Sequence, residues 1–189
     1  MAKVKVGYMG IPYSNTWEMA KIFAEEAGLD AELVPLVSAS KTMEAMEAKE
    51  VDFGVFAFRN ATAGQVVETR DAIKGHVLEV FRKGHLQIHH CVFTKNADTR
   101  VKAVSSHIQA LGQCKKNLAR LYPDARLMES ADTALSAQML AEGKLPDDTA
   151  VICKQAAGEH WGLHLAHINI EDRKDNITDF VMLRIPKSN

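Results

Sequence analysis

Short apolar runs alternate along the chain with segments of helical period, the pattern of α/β layering. Residues 4–8 read as a strand that runs into a turn around Gly10 and Pro12. A helix begins near Asn15, where Asn15 and Glu18 have capping-box spacing, and Gly28 supplies a stop. Trp17, Ala20, Phe23, Ala24 and Ala27 form its apolar face. A strand over 31–37 and a helix over 40–49 follow. Residues 53–58 are almost unbroken apolar, as expected of a strand covered on both faces. A loop over 60–64 then leads to a helix over 65–74.

From there a second unit opens. Residues 76–81 and 86–94 read as antiparallel strands joined by a Lys83-Gly84 turn. A strand over 101–105 precedes a helix that Ser106 opens, with Ser106 and Gln109 in capping spacing and Leu111, Cys114, Leu118 and Leu121 on its apolar stripe. The pattern continues with a strand over 125–128, a helix over 132–142 and a strand over 149–153. A helix over 155–161, a strand over 165–170, a polar loop over 171–176 and a last strand over 178–185 complete it. No repeat, low-complexity tract or linker breaks the order, so two α/β lobes with short crossings fit better than two independent domains.

Composition narrows the function classes. The chain has 189 residues, 47% hydrophobic and 25% charged, which is the globular average and leaves no room for a fibrous or disordered reading. Lys plus Arg number 23 against 24 for Asp plus Glu, so no basic footprint for nucleic acid or an anionic membrane exists. No run approaches the ~20 apolar residues of a membrane span, and the N-terminus has no signal-peptide pattern. Cys91, Cys114 and Cys153 are widely spaced and odd in number, which supports neither a disulfide framework nor a zinc ribbon. The expectation is a reduced, cytoplasmic, soluble protein.

Three stretches place small polar residues just after a strand: 14–16, 60–64 and 105–109. Helix N-termini there would present unpaired N–H groups to a carboxylate or phosphate, although ordinary capping uses the same residues. His160, His164 and His167 are spaced i, i+4, i+7, but Gly162 interrupts them and no metal site is expected. Ser106 beside His107 could begin a hydrolase triad, yet no Gly-x-Ser-x-Gly elbow exists. Cys91 and Cys114 sit in apolar patterns and read as core fillers.

The segment Val104-Ser105-Ser106-His107-Ile108-Gln109-Ala110-Leu111-Gly112-Gln113-Cys114 resembles the Ser-His-Pro-Gln-Ala-Leu-x-Gln-Cys signature of the prephenate dehydratase family. Other pieces fall in order around it. Tyr8-Met9-Gly10 with Ser14 and Thr16 is similar to the family's opening, Asn60 and Gly64 to its Glu-Asn-Ser-x-x-Gly loop, and Glu79 and His90 to the Glu and His beyond. Asn169-Ile170-Glu171-Asp172, Asn176, Thr178 and Phe180 resemble its closing Asn-Ile-x-Asp…Asn-x-Thr-Arg-Phe. The resemblance implies an α/β, type II periplasmic-binding-protein-like fold with mixed sheets and a ligand cleft between two lobes. Residues 1–75 plus 165–189 would form one lobe and 76–164 the other. It further implies a homodimer and no cofactor; the family's usual regulatory ACT domain, by contrast, is not expected in this chain.

The implied chemistry is decarboxylation of prephenate with loss of its ring hydroxyl, giving phenylpyruvate on the phenylalanine branch of aromatic amino acid biosynthesis. Thr178 would be catalytic, donating to the leaving hydroxyl, and Ser14, Thr16, Arg59, Asn60, Ser106, Gln109 and Asp179 would bind substrate. Departures cluster at the implied site. Arg59 stands for the family's Glu, Ala61 for Ser, Ile108 for Pro and Asp179 for Arg. Either Arg59 and Asp179 share the cleft and preserve its charge sum, or Arg59 is solvated and Asp179 faces away. Two functions follow: a lyase acting on prephenate or a related small carboxylate (a prephenate decarboxylase being a variant), or a non-catalytic binder of an amino acid or aromatic acid.

Overall fold

A computed structural model describes residues 3–186. The first stretch holds β1 (Val4–Tyr8), α1 (Asn15–Glu26), β2 (Ala31–Pro35), α2 (Ala39–Glu47), β3 (Phe53–Asn60), β4 (Gly64–Gln65), α3 (Val67–Ile73) and β5 (Glu79–Gln87). The middle holds β6 (Cys91–Thr94), β7 (Ala103–His107), α4 (Ile108–Gln113), α5 (Lys115–Leu121), β8 (Arg126–Ser130), α6 (Thr133–Ala141), β9 (Thr149–Cys153), α7 (Gln155–His160) and β10 (His164–His167). The chain closes with β11 (Ile177–Arg184). Two compact units result: one runs to Gln87 and resumes at Ile177, the other spans Ile88–Asn176.

In the first unit the sheet order is β2-β1-β3-β11-β5, with β4 beside β3. β1 lies parallel to β2 and β3, whereas β11 runs antiparallel to both β3 and β5, so the sheet is mixed. Alternation along β3 explains its two cores. Phe53 and Val55 join Met19, Ala20 and Phe23 of α1 on one face, while Phe56 joins Met43 and Met46 of α2 on the other. The unbroken apolar run therefore does mark a strand sandwiched between helices.

The second unit is ordered β10-β6-β9-β7-β8, again mixed: β7 is parallel to β8 and β9, and β6 antiparallel to β9 and β10. Val92, Val104, Ala150 and Ile152 form its core with Leu111 of α4, Cys114, and Leu118 of α5.

Several sequence expectations need correction. The hairpin over 76–81 and 86–94 does not form. Residues 79–87 are one strand, with Lys83 and Gly84 in register against Val181 and Phe180 of β11. Gly84 is there because α1 packs close: a Cβ would sit 2.9 Å from a Phe23 ring carbon. Because β5 pairs with β11, the units divide after Gln87 and Asn176, not after residues 75 and 164. Ser14, not Asn15, caps α1, its Oγ accepting from Trp17 N at 3.2 Å. His107, not Ser106, caps α4, because β7 continues through His107. His160 ends α7 while His164 and His167 lie in β10, so the three share no helix face.

Candidate functional site

In the first unit Asn60 and Thr178 are direct cross-strand partners at the end of the β3–β11 ladder, both buried. The Asn60 amide is oriented by its surroundings. Its Oδ1 accepts from the backbone N–H groups of Thr62 and Ala63, each at 2.9 Å, and from the Thr62 hydroxyl at 2.7 Å. Backbone N–H groups can only donate, so the oxygen must face them and Nδ2 must face the other way. There Nδ2 donates to Thr178 Oγ1 at 2.8 Å and to the Ile177 carbonyl at 3.3 Å. Thr178 Oγ1 thus acts as an acceptor toward Asn60.

Arg59 and Asp179 are the next pair along the same ladder, both exposed. Successive strand residues alternate faces, so this pair lies opposite Asn60 and Thr178. The ladder skips Phe58 here, a bulge that turns it to the side of Asp179. Phe58, Val181, Leu183, Lys83, His85 and Asp179 border a hollow of about 590 Å³ on that face. Asp179 is therefore directed to the sheet face opposite Thr178. Ser14 and Thr16 sit buried at the start of α1. Glu79 makes a two-pronged ion pair with Arg184 at 2.7 and 2.9 Å, which holds its carboxyl below the usual range.

The second unit holds Ser106 and Gln109. Ser106 is fully buried and its hydroxyl donates to the Ile152 carbonyl at 2.7 Å, so it links β7 to β9. Gln109 is exposed in the first turn of α4, its N–H donating to His107 Nδ1 at 3.3 Å.

A buried polar network fills the same unit. Gln113 Oε1 accepts from Asn176 Nδ2 at 2.9 Å and lies 2.7 Å from His90 Nε2, which therefore carries the ring proton. Burial pushes the His90 imidazolium down, against the opposing pull of Gln113 and Glu171. Glu171 accepts from His90 N at 3.0 Å and lies 2.9 Å from His89 Nδ1. Burial raises its carboxyl, but these hydrogen bonds outweigh that effect and hold it below the usual value. Asp172 caps α5, accepting from Lys116 N and Asn117 N. Burial pushes the thiols of Cys91, Cys114 and Cys153 up, consistent with inert core residues.

Lys154 was not anticipated from the sequence. It follows β9 immediately, one residue past the Cys91–Cys153 cross-strand pair, and is half-buried. Burial pushes its amine down to about 8. A lysine ending the apolar run 149–153 was the only signal available.

Two mixed α/β units traversed in this order define a type II periplasmic-binding-protein-like fold. The family description "Prephenate dehydratase" matches residues 6–188, and the chain belongs to that family. Arogenate dehydratase 2 of Petunia hybrida is 32% identical over 186 residues, covering 96% of this chain and 45% of the relative. Arogenate dehydratase/prephenate dehydratase 1, chloroplastic, of Arabidopsis thaliana is 31% identical over 189 residues, covering 96% and 45%. The chain thus spans about half the length of the curated relatives it matches. A prephenate dehydratase from Arthrobacter aurescens, solved in complex with L-Phe, superposes with a TM-score of 0.84 at 28% identity, covering 98% of this chain and 61% of that one. Among the described residues no helix is long and apolar enough to cross a membrane.

Proposed function

We propose that the chain catalyses the dehydratase step on prephenate or on its amino analogue arogenate, with Thr178 as the donor to the departing hydroxyl. The observation that carries this is the Asn60–Thr178 hydrogen bond, in which the amide donates and Thr178 Oγ1 accepts. A hydroxyl that accepts from a fixed amide still has its own proton to give, and its rotation is restricted. In the reaction the C–C bond to the ring carboxylate breaks as CO2 leaves. The freed electron pair aromatises the ring and expels the ring hydroxyl, which departs as water after taking up a proton. Donation at the leaving oxygen stabilises the charge that develops there, and aromatisation supplies the driving force.

The names of the relatives include both arogenate and prephenate dehydratases, which supports the reaction class. Arg59 and Asp179 occupy the face opposite Thr178, so the reading gives them no part in holding substrate. The test is to incubate purified protein separately with prephenate and arogenate. Phenylpyruvate is followed by its absorbance in alkali and phenylalanine by chromatography. Turnover of either, well above the spontaneous rate, is expected. No turnover of either, with thermal stabilisation by an amino acid or aromatic acid, would replace this reading with that of a binder.

A further inference from the structure

The hollow of about 590 Å³ in the first unit lies on the sheet face opposite Thr178. On that face the α2–α3 core reaches β11 through Val181 and Leu183. β5 is the outer strand beyond them, and its Val80 is left 48% exposed. Phe58, Ile73 and Leu78 complete the apolar lining. A cavity of this size, apolar with a few convergent polar groups, has the character of a small-molecule site. Its charges stand on the strands. Asp179 is in register with His85 and Val181 with Lys83, so Lys83 and Asp179 are diagonal neighbours, about 7–8 Å apart. Both are exposed, and among the described residues neither side chain makes an ion pair or a hydrogen bond. We propose that this hollow binds an α-amino acid with a large apolar side chain, its carboxylate held by Lys83 and its ammonium by Asp179.

Both charges of such a ligand sit on one tetrahedral carbon. Lys83 donates to the carboxylate and the ligand ammonium donates to Asp179, which spans the diagonal and directs the apolar side chain onto Phe58, Val181 and Leu183. A simple acid would gain Lys83 but meet the Asp179 carboxylate, and a simple amine would meet the reverse, so the pair selects a zwitterion. Because both residues are exposed, each charged contact is modest, and burial of the apolar side chain supplies most of the affinity. His76, another ionisable group at the rim, is engaged by Glu47 at 3.1 Å, and His85 stands beside Asp179 as its cross-strand neighbour. Binding here needs no turnover of prephenate or arogenate.

The test is calorimetric titration of the full chain with L-leucine and L-phenylalanine. Two further probes carry the leucine skeleton without one charge: 3-methylbutylamine lacks the carboxylate and 4-methylpentanoate lacks the ammonium. Saturable binding of the amino acids is expected, with Kd about 0.1–1 mM. Each truncated probe should bind about three- to tenfold more weakly than leucine. Lys83→Met should weaken leucine by about the same factor without weakening the amine, and Asp179→Asn should do so without weakening the acid. Tm should stay near that of wild type in both variants, and Thr178→Val should leave leucine binding unchanged. Leucine binding that falls in Thr178→Val but not in Lys83→Met or Asp179→Asn would place the ligand at the Asn60–Thr178 pair and overturn the proposal. Truncated probes that bind wild type as tightly as leucine would overturn it, as would the absence of saturable binding by either amino acid.

Discussion

Asn60 gains its role from neighbours on two sides. The loop after β3 turns its N–H groups of Thr62 and Ala63 onto Oδ1, which leaves Nδ2 for a threonine 118 residues further along. Resemblance located Asn60 and Thr178, but their contact depends on strand register, which local pattern does not encode. Ser106 shows the opposite case. Its spacing to Gln109 matches a cap, yet β7 runs on through His107, and the hydroxyl turns inward to Ile152. The buried network adds a prediction about acid. His90 is held below its usual value, so as pH falls through about 6.5 the unfolded chain takes up a proton that the folded chain refuses. Glu171 is also held low, so its stabilisation is complete above the ordinary carboxylate range and is lost as pH falls through its folded value. Tm should therefore decline from pH 7.5 to 5, and more shallowly between 6.5 and 5 in His90→Gln. Identical slopes in the two proteins would show that His90 carries none of this dependence.

At the level of elements, strands and helices were mostly legible because burial imposes its period on the chain. The error at Lys83-Gly84 has a physical cause. Glycine serves turns through its φ freedom and packed strands through its missing side chain, and sequence alone does not separate the two. Here α1 needs the space, with the Phe23 ring against the strand. Gly158 is a second position of the same kind, inside α7 and facing Phe93 of β6. A Cβ there would be driven into the Phe93 ring. Helix propensity favours alanine over glycine by about 1 kcal/mol, but overpacking a tight contact costs about 1–3 kcal/mol. Gly158→Ala should be net destabilising, by up to roughly 2 kcal/mol in urea unfolding. A stabilised variant would mean that Phe93 moves aside without cost.

Across the whole molecule, the last strand returns to the first unit and inserts between β3 and β5. That single return creates the ladder in which Thr178 meets Asn60, and it sets the division after Gln87 and Asn176. The sequence suggested a discontinuous lobe but assigned β5 to the wrong one, because pairing between β5 and β11 is a long-range choice. The proposed chemistry depends on this topology: a residue near the end of the chain receives its orientation from one in its first third. The direct test is kcat/KM for the substrate that is turned over, measured for wild type, Thr178→Ser and Thr178→Val. The serine variant should stay within about tenfold, and the valine variant should lose about 100- to 1,000-fold while its Tm stays near that of wild type, in the range seen when one fixed transition-state donor is removed. Valine at 178 with undiminished kcat/KM would contradict the assignment of the threonine hydroxyl as the donor.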